Sequence, residues 1–338
     1  MSDSIKTRSE ILFLYDIADA NPNGDPNDEN RPRIDRESGR IKVTDVRLKR
    51  TIRDYLHDAL GLEIFCREIE KPDGTIQDGK DRAEDFAAVA EKAKGSTPKS
   101  LLDKRDRVQE QVLSDCIDVR LFGATIPVGG LKKDDPKGSS VTLTGAVQFA
   151  MGSSLHRAEV RFIKGTGAFA GGQGRERKTF REEYVLPYGL IGFYGIVNHQ
   201  AAKTTRLTAA DVEKLYEAIW FGTKGLITRS KVGQRPLLMI VVEYEEKHAN
   251  SYIGRLDRFL KLKTESPKDA PSDFREEAIR GPEHYVVDLG DLKTALGNRK
   301  TKIARIRYAH DPRLKLDGDE TSTDKFLGLP AKKFSDFD

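Results

Sequence analysis

The chain has 338 residues, 58 of them Lys or Arg and 54 Asp or Glu, with a formal net charge of +4. That length fits one large or two ordinary domains, and an apolar fraction of 37% excludes a globally disordered chain. Charge is segregated: acids gather at 63–91, 243–246 and 265–277, bases at 31–53, 175–181, 224–235 and 299–315. Such a distribution puts basic patches on a nearly neutral molecule, as in proteins that hold nucleic acid.

Cys66 and Cys116 lie far apart without metal-ligand spacing; free, buried thiols in a reducing compartment are expected. The N-terminus has no signal-peptide core, and no apolar run reaches about 18 residues. A soluble, cytoplasmic protein with no membrane partner is the expectation.

Residues 9–18, SEILFLYDIA, are apolar on both faces at the start, the pattern of a central strand. NPNGDPNDEN (21–30) is loop chemistry, with Gly24 expected at positive φ. Read as a calcium loop from Asn21 it fails, because Pro26 and Pro32 fall where glycine and glutamate are needed. Residues 31–53 then carry nine Lys or Arg against three acids. Within them Thr44 is a good N-cap and Asp45 suits the first turn of a helix whose buried face is Leu48, Ile52, Tyr55, Leu56 and Ala59. Lys49, Arg50 and Arg53 fall off that face near the helix entrance. Free backbone N–H groups and cations converge there, which suits phosphate.

Residues 64–116 read as an insertion with helices over about 81–94 and 98–114, surface-exposed by their mixed charge. A strand over 141–152 and another over 158–163 follow. GTGAFAGGQGRERKTF (165–180) completes neither a Walker pattern nor G-x-G-x-x-G; it reads as a mobile basic hairpin arm with Lys178 and Arg181 near its end. EEYVLPYGLIGFYGIVN (182–198) is strand-rich; its Tyr184, Tyr188, Phe193 and Tyr194 are either core or base-stacking groups. Thr208 and Asp211 form a capping-box variant for a second helix. KGLITRSKVGQR (224–235), with Arg229, Lys231 and Gln234, precedes the most apolar strand, 236–244. Beyond 246 a helix over 250–262, a linker over 264–282 and strands at 284–289 and 302–308 are expected, with a poorly ordered end from Asp317.

The order of elements points to an α+β, RRM-like (ferredoxin-like) palm with an antiparallel sheet over 1–245. A helical insertion at 64–116 and a hairpin at 164–181 interrupt it, and 246–338 form a C-terminal extension. No metal spacing appears among the six histidines, and no G-x-S-x-G motif or Cys–His nucleophile pair. No catalytic residue, metal ligand or cofactor is assigned. Asp25 is the one acid beside the basic helix whose carboxylate suits assistance to attack by a 2′-hydroxyl, against its reading as a turn residue.

Taken in order, YDIADANPNGDP, RPRID, VTDVRLKRTIRDYL, LTGAVQFAMGSSLH and YVLPYGLIGFYGIVN resemble the RAMP-type backbone subunit of type I CRISPR effector complexes (Cascade), in its Csh and Csd branches, type I-B and I-C. The resemblance covers about residues 9–60 and 117–245. It implies a non-catalytic antiviral-defence subunit with a thumb and web on its palm. Copies would polymerise head-to-tail along one guide (CRISPR) RNA, beside other Cascade subunits, and present the guide to target DNA. By position it implies that Thr44, Lys49, Arg50 and Arg53 contact guide phosphates. Arg31, Arg33, Lys178, Arg181, Arg229, Lys231 and Gln234 are further RNA-binding candidates. Related type III subunits cut RNA with a loop aspartate, but their motif is not matched around Asp25. An RNA-cleaving enzyme using Asp25 and a protein-only scaffold remain the rival readings.

Overall fold

The computed structural model describes residues 4–131, 138–170, 178–266, 274–318, 325–335 and 337, with 166–170 and 178–181 described through the backbone alone. In chain order the elements are β1 (Ser9–Ala20), β2 (Gly24–Asp25), β3 (Arg31–Pro32), β4 (Arg40–Val43), α1 (Asp45–Asp58), α2 (Gly79–Lys94), α3 (Leu101–Asp115), α4 (Ile117–Phe122), β5 (Gly123–Val128), β6 (Ser139–Thr144), β7 (Val147–Phe149), β8 (Gly152–Arg157), β9 (Arg161–Ala170), β10 (Lys178–Val197), α5 (His199–Thr205), α6 (Ala209–Lys224), β11 (Arg235–Tyr244), β12 (Lys261–Thr264), β13 (Tyr285–Asp288), α7 (Gly290–Gly297), β14 (Ile303–His310), β15 (Leu316–Asp317), β16 (Lys325–Phe326) and β17 (Leu329–Lys333). The fold is mixed α+β and divides into two compact units. One comprises Met1–Thr7, Ile52–Gln148 and Ile196–Ala218; the other comprises Arg8–Thr51, Phe149–Gly195 and Ile219–Asp338.

The second unit carries the large sheet, whose main path runs β16-β17-β14-β11-β1-β10-β8-β4, with β9 pairing β10 off that path. β1 and β11 form its centre because both are apolar on both faces. Ile11 to Leu14 and Leu237 to Val242 are wholly buried, and Ile11 sits opposite Val241 in antiparallel register. Each such side chain contributes about 1.5–3 kcal/mol on burial. β17 joins β14 in parallel, which makes the sheet mixed. Gly152 is required by close approach: a Cβ there would meet the Phe193 ring at 2.6 Å.

β8 was not expected as a strand, because GSSLHR reads as polar. Its inward groups are satisfied instead: Ser154 Oγ accepts the Ile41 N–H at 2.9 Å, and His156 Nε2 accepts the Leu190 N–H at 3.1 Å. The expected helix over 250–262 is absent. A 3-10 turn at Leu256–Phe259 and β12 replace it, since its apolar residues hold no helical period. The end beyond Asp317 is also ordered where described: β16 and β17 extend the sheet, and Phe326 is wholly buried against Tyr308. Phe337 packs on Trp220 and Phe221 at 5.8 and 5.3 Å.

The first unit has its own core, in which Phe65 and Phe86 pack with Val108, Val112, Ile126 and Leu143. Its helices are less exposed than their charge implied. Lys104 is buried against Glu84 at 2.8 Å and the Gly130 carbonyl at 2.9 Å, while Arg107 is held by Asp103 at 2.9 Å. Cys116 is buried as expected, but Cys66 is exposed.

Candidate nucleic-acid interface

The N-terminal end of α1 is built by the loop before it. Thr44 Oγ1 accepts the Arg47 N–H at 3.3 Å, the expected cap. Thr44 in turn donates its own N–H (2.8 Å) and hydroxyl (3.0 Å) to Asn23 Oδ1. The NPNGDP loop therefore fixes the helix entrance. The loop is tied down by its own hydrogen bonds: Asn21 is buried, its Nδ2 donates to the Asn30 carbonyl at 2.7 Å, and its N–H donates to the Ser230 carbonyl at 2.9 Å. That last bond joins the loop to the 224–235 segment, which sequence separation hides. Gly24 does not take positive φ; Glu29 and Asn30 do, at 47° and 56°. Glycine is needed at 24 because a Cβ would lie 1.9 Å from Asn30 Oδ1.

The expected cations fall into three groups. Arg31 lies over the Tyr184 ring, 4.3 Å from its centroid, and bonds Glu29 at 2.7 Å and the Tyr184 hydroxyl at 2.8 Å. The Arg31 bond, with one donated by the Tyr184 hydroxyl at 3.0 Å, holds the Glu29 carboxyl below its usual range. Phe162 packs on Tyr184 at 5.0 Å and remains half exposed. Arg31, Tyr184 and Phe162 together form an exposed aromatic–cation platform at the foot of the β9–β10 hairpin. Tyr188, Phe193 and Tyr194, by contrast, are buried core.

The second group lies around α1 and the 224–235 segment. Arg50 is exposed. Lys49 bonds Asp45 at 3.0 Å, so part of its charge is compensated within the helix. Lys231 is half-buried with its Nζ 3.2 Å from Ser230 Oγ; burial and the neighbouring Arg47 guanidinium push its ammonium pKa down. Arg47 was not singled out from the sequence; only its spacing three residues from the cap hints at it. Arg229 is exposed, 3.9 Å from Glu183. Gln234 is buried, and among the described residues its Nε2 has no hydrogen-bond partner; it lies beside a small cavity lined by Tyr15, Arg47 and Thr51.

The third group is committed elsewhere. Arg33 pairs with Asp25 at 2.9 Å, and the other Asp25 oxygen accepts the Asn27 N–H at 3.1 Å. Asp25 thus has the contacts of a turn residue. Arg53 belongs to the other compact unit, where its Nε bonds the wholly buried Asp118 at 2.9 Å and its guanidinium lies 5.1 Å from the Phe122 ring. Asp118 also accepts the Phe65 and Cys66 N–H groups at 2.8 and 3.2 Å. The side chains of Lys178 and Arg181, with Arg175 and Arg177, lie outside the described residues; the backbone at Lys178 and Arg181 pairs with Ala170 and Gly165. Among the described residues no group of His, Cys, Asp and Glu could hold a metal ion, and no helix is long and apolar enough to cross a membrane.

This surface pairs cations with the half-exposed Phe162 and the half-buried Tyr184 rings, the chemistry of a phosphate-contacting face. Comparison with known proteins gives the family. The model of the family "CRISPR-associated protein Cas7" matches residues 7–281. A CRISPR-associated protein Cas7 of Haloferax volcanii is 34% identical over 334 residues, covering 93% of this chain and 90% of that one. In structure the chain is similar to a subunit of a CRISPR RNA-guided surveillance complex, with a TM-score of 0.52 at 14% identity over 98% of this chain and 95% of that one. A second such complex, described as pre-nicking, gives a TM-score of 0.50 at 16% identity over 97% and 96%. The chain belongs to the Cas7 family.

Proposed function

We propose that this chain is a non-catalytic guide-RNA-binding backbone subunit of a type I CRISPR effector complex, of the Csh/Csd-like branch. It would line up head-to-tail with copies of itself and present the guide to target DNA. The observation that carries this is the Asn21–Asn30 loop. Within one compact unit it binds the α1 entrance through Asn23, the Lys231 segment through Asn21, and the Arg31–Tyr184 platform through Glu29. Three cation sites are thereby held in fixed relation, as a clamp on successive phosphates requires.

The reading extends to the fold, as an RRM-like palm. The sheet order β11-β1-β10-β8, with α1 and α6 following β1 and β10 in the chain, is the order of a ferredoxin-like βαββαβ unit with insertions. Cations and rings that meet phosphates, 2′-hydroxyls and one stacked base hold a strand of any sequence and leave base edges free to pair. Within this reading Arg50, Arg31, Lys231, Arg229, Lys49 and the Thr44 cap, with Lys178 and Arg181 of the hairpin, meet the guide. Arg33 and Arg53 hold the surrounding structure, and Gln234 is buried.

The test is binding of two guide-length RNAs of unrelated sequence, followed by fluorescence anisotropy across a salt series. Equal affinities are expected, with log K falling steeply against log salt by about 0.7 per phosphate contacted. A strong preference for one sequence, or a flat salt response, would refute the proposal. The cleaving alternative needs Asp25 released from Arg33. Regular cuts in complementary RNA that vanish in Asp25→Ala would establish it instead.

A further inference from the structure

A surface cavity of about 630 Å3 lies between the turn after β11 and the turn before β14. Lys247, Arg299 and Lys302 line it, and none of the three makes an ion pair among the described residues. Glu246 is the only carboxylate in the lining. Tyr252, 53% exposed, forms part of the wall, with the Arg8 guanidinium 5.4 Å from its ring centroid.

The frame is preformed. The Glu245 N–H donates to the Lys302 carbonyl at 2.9 Å, joining the two turns, and Arg8 Nη1 donates to the Asn250 carbonyl at 3.0 Å. The buried Glu10 carboxylate takes the Ile253 and Gly254 N–H groups, both at 2.7 Å, and the hydroxyls of Tyr194 and Tyr244. The cavity sits at the far end of β11 from Lys231. At the usual rise of a strand that is roughly 30 Å away, so it is separate from the interface described above.

We propose that this cavity is a second nucleic-acid site, which takes a short single-stranded segment other than the guide. Unpaired cations in a concavity focus positive potential, and three of them around one opening favour a ligand with several phosphates. The exposed tyrosine offers a face on which a base stacks. An acidic peptide would use the cations but leave that ring without a role. A free nucleotide would call for a glycine-rich phosphate loop, and no glycine lines the cavity.

The test uses the purified full chain with its co-purified RNA and a fluorescein-labelled oligothymidylate of about 16 nucleotides. Lys247→Glu/Arg299→Glu/Lys302→Glu should weaken binding at least about tenfold and reduce the salt slope by about 2, from three contacts at about 0.7 each. Tyr252→Ala should weaken it about fivefold or more, and Tyr252→Phe should restore it. Arg31→Glu/Arg50→Glu, aimed at the guide interface, should leave the Tyr252 effect intact, so the two sites fail separately. Unchanged affinity and slope in the triple variant would overturn the proposal. So would an unaffected Tyr252→Ala variant whose probe is displaced by polyglutamate, which would mark an acidic-peptide surface.

Discussion

Arg53→Ala is expected to weaken the fold and leave RNA binding per folded molecule unchanged. The guanidinium is 16% exposed and its partner Asp118 is wholly buried. Removing one member of a buried pair strands the other charge and costs about 3–5 kcal/mol. Two backbone N–H groups still reach Asp118, which places the loss at the lower end of that range. With a urea slope of about 2–3 kcal/mol/M, the unfolding midpoint should fall by about 1–2 M. The exposed Arg50→Ala serves as the control and should stay within about 0.5 kcal/mol of the parent. Circular dichroism in urea gives the midpoint, and RNA content is measured on the folded, monodisperse fraction. An unshifted midpoint with RNA lost would refute the structural role of Arg53 and restore it to the clamp.

Three further outcomes follow from the geometry. Gly24→Ala should drive Asn30 from its place, cost about 1–3 kcal/mol, and reduce RNA affinity more than any single exposed-cation change; thermal melts with anisotropy check this. Stability should fall on acidification through Asp211. Burial alone raises its pKa, but the Arg120 fork (both bonds 2.9 Å) and the Thr208 cap outweigh it and hold the carboxyl below the usual range. That stabilisation is complete above the unfolded pKa, about 4, and disappears as pH falls through the lower folded value. Urea midpoints in acid, compared with Arg120→Ala, should show a flatter dependence in the variant. Phe326→Ala should cost about 3–5 kcal/mol, and an unchanged urea midpoint would contradict the sheet-edge role of the tail.

Much of the frame is legible from local pattern. The apolar runs of β1 and β11, the Thr44 cap and the Thr208–Asp211 box each depend on neighbours in the chain. The box forms as expected, with Thr208 Oγ1 accepting the Asp211 N–H and Asp211 Oδ2 accepting the Thr208 N–H, both at 3.1 Å. What was missed depends on distant partners. Ser154 and His156 look like loop residues until the β-ladder supplies their hydrogen bonds. Phe326, Phe334 and Phe337 are too widely spaced to mark a packed tail, yet Phe334 and Phe337 stack at 4.5 Å. Arg53 looks like its neighbours Lys49 and Arg50 along the helix. Only the fold brings Asp118, 65 positions away, against it. Tyr184 shows the same limit: its pairing with Arg31, 153 positions earlier, separates it from the three buried aromatics beside it.

In the proposed function Arg31 and Arg50 belong to one RNA clamp organised by the Asn21–Asn30 loop. The most direct measurement is the RNA content of the purified Arg31→Glu/Arg50→Glu variant, read as the 260/280 nm absorbance ratio and by extraction. A nucleic-acid-rich parent is expected, and a variant with a protein-like ratio and an unchanged far-UV circular dichroism spectrum. RNA retained at the parent level in a folded variant would contradict it.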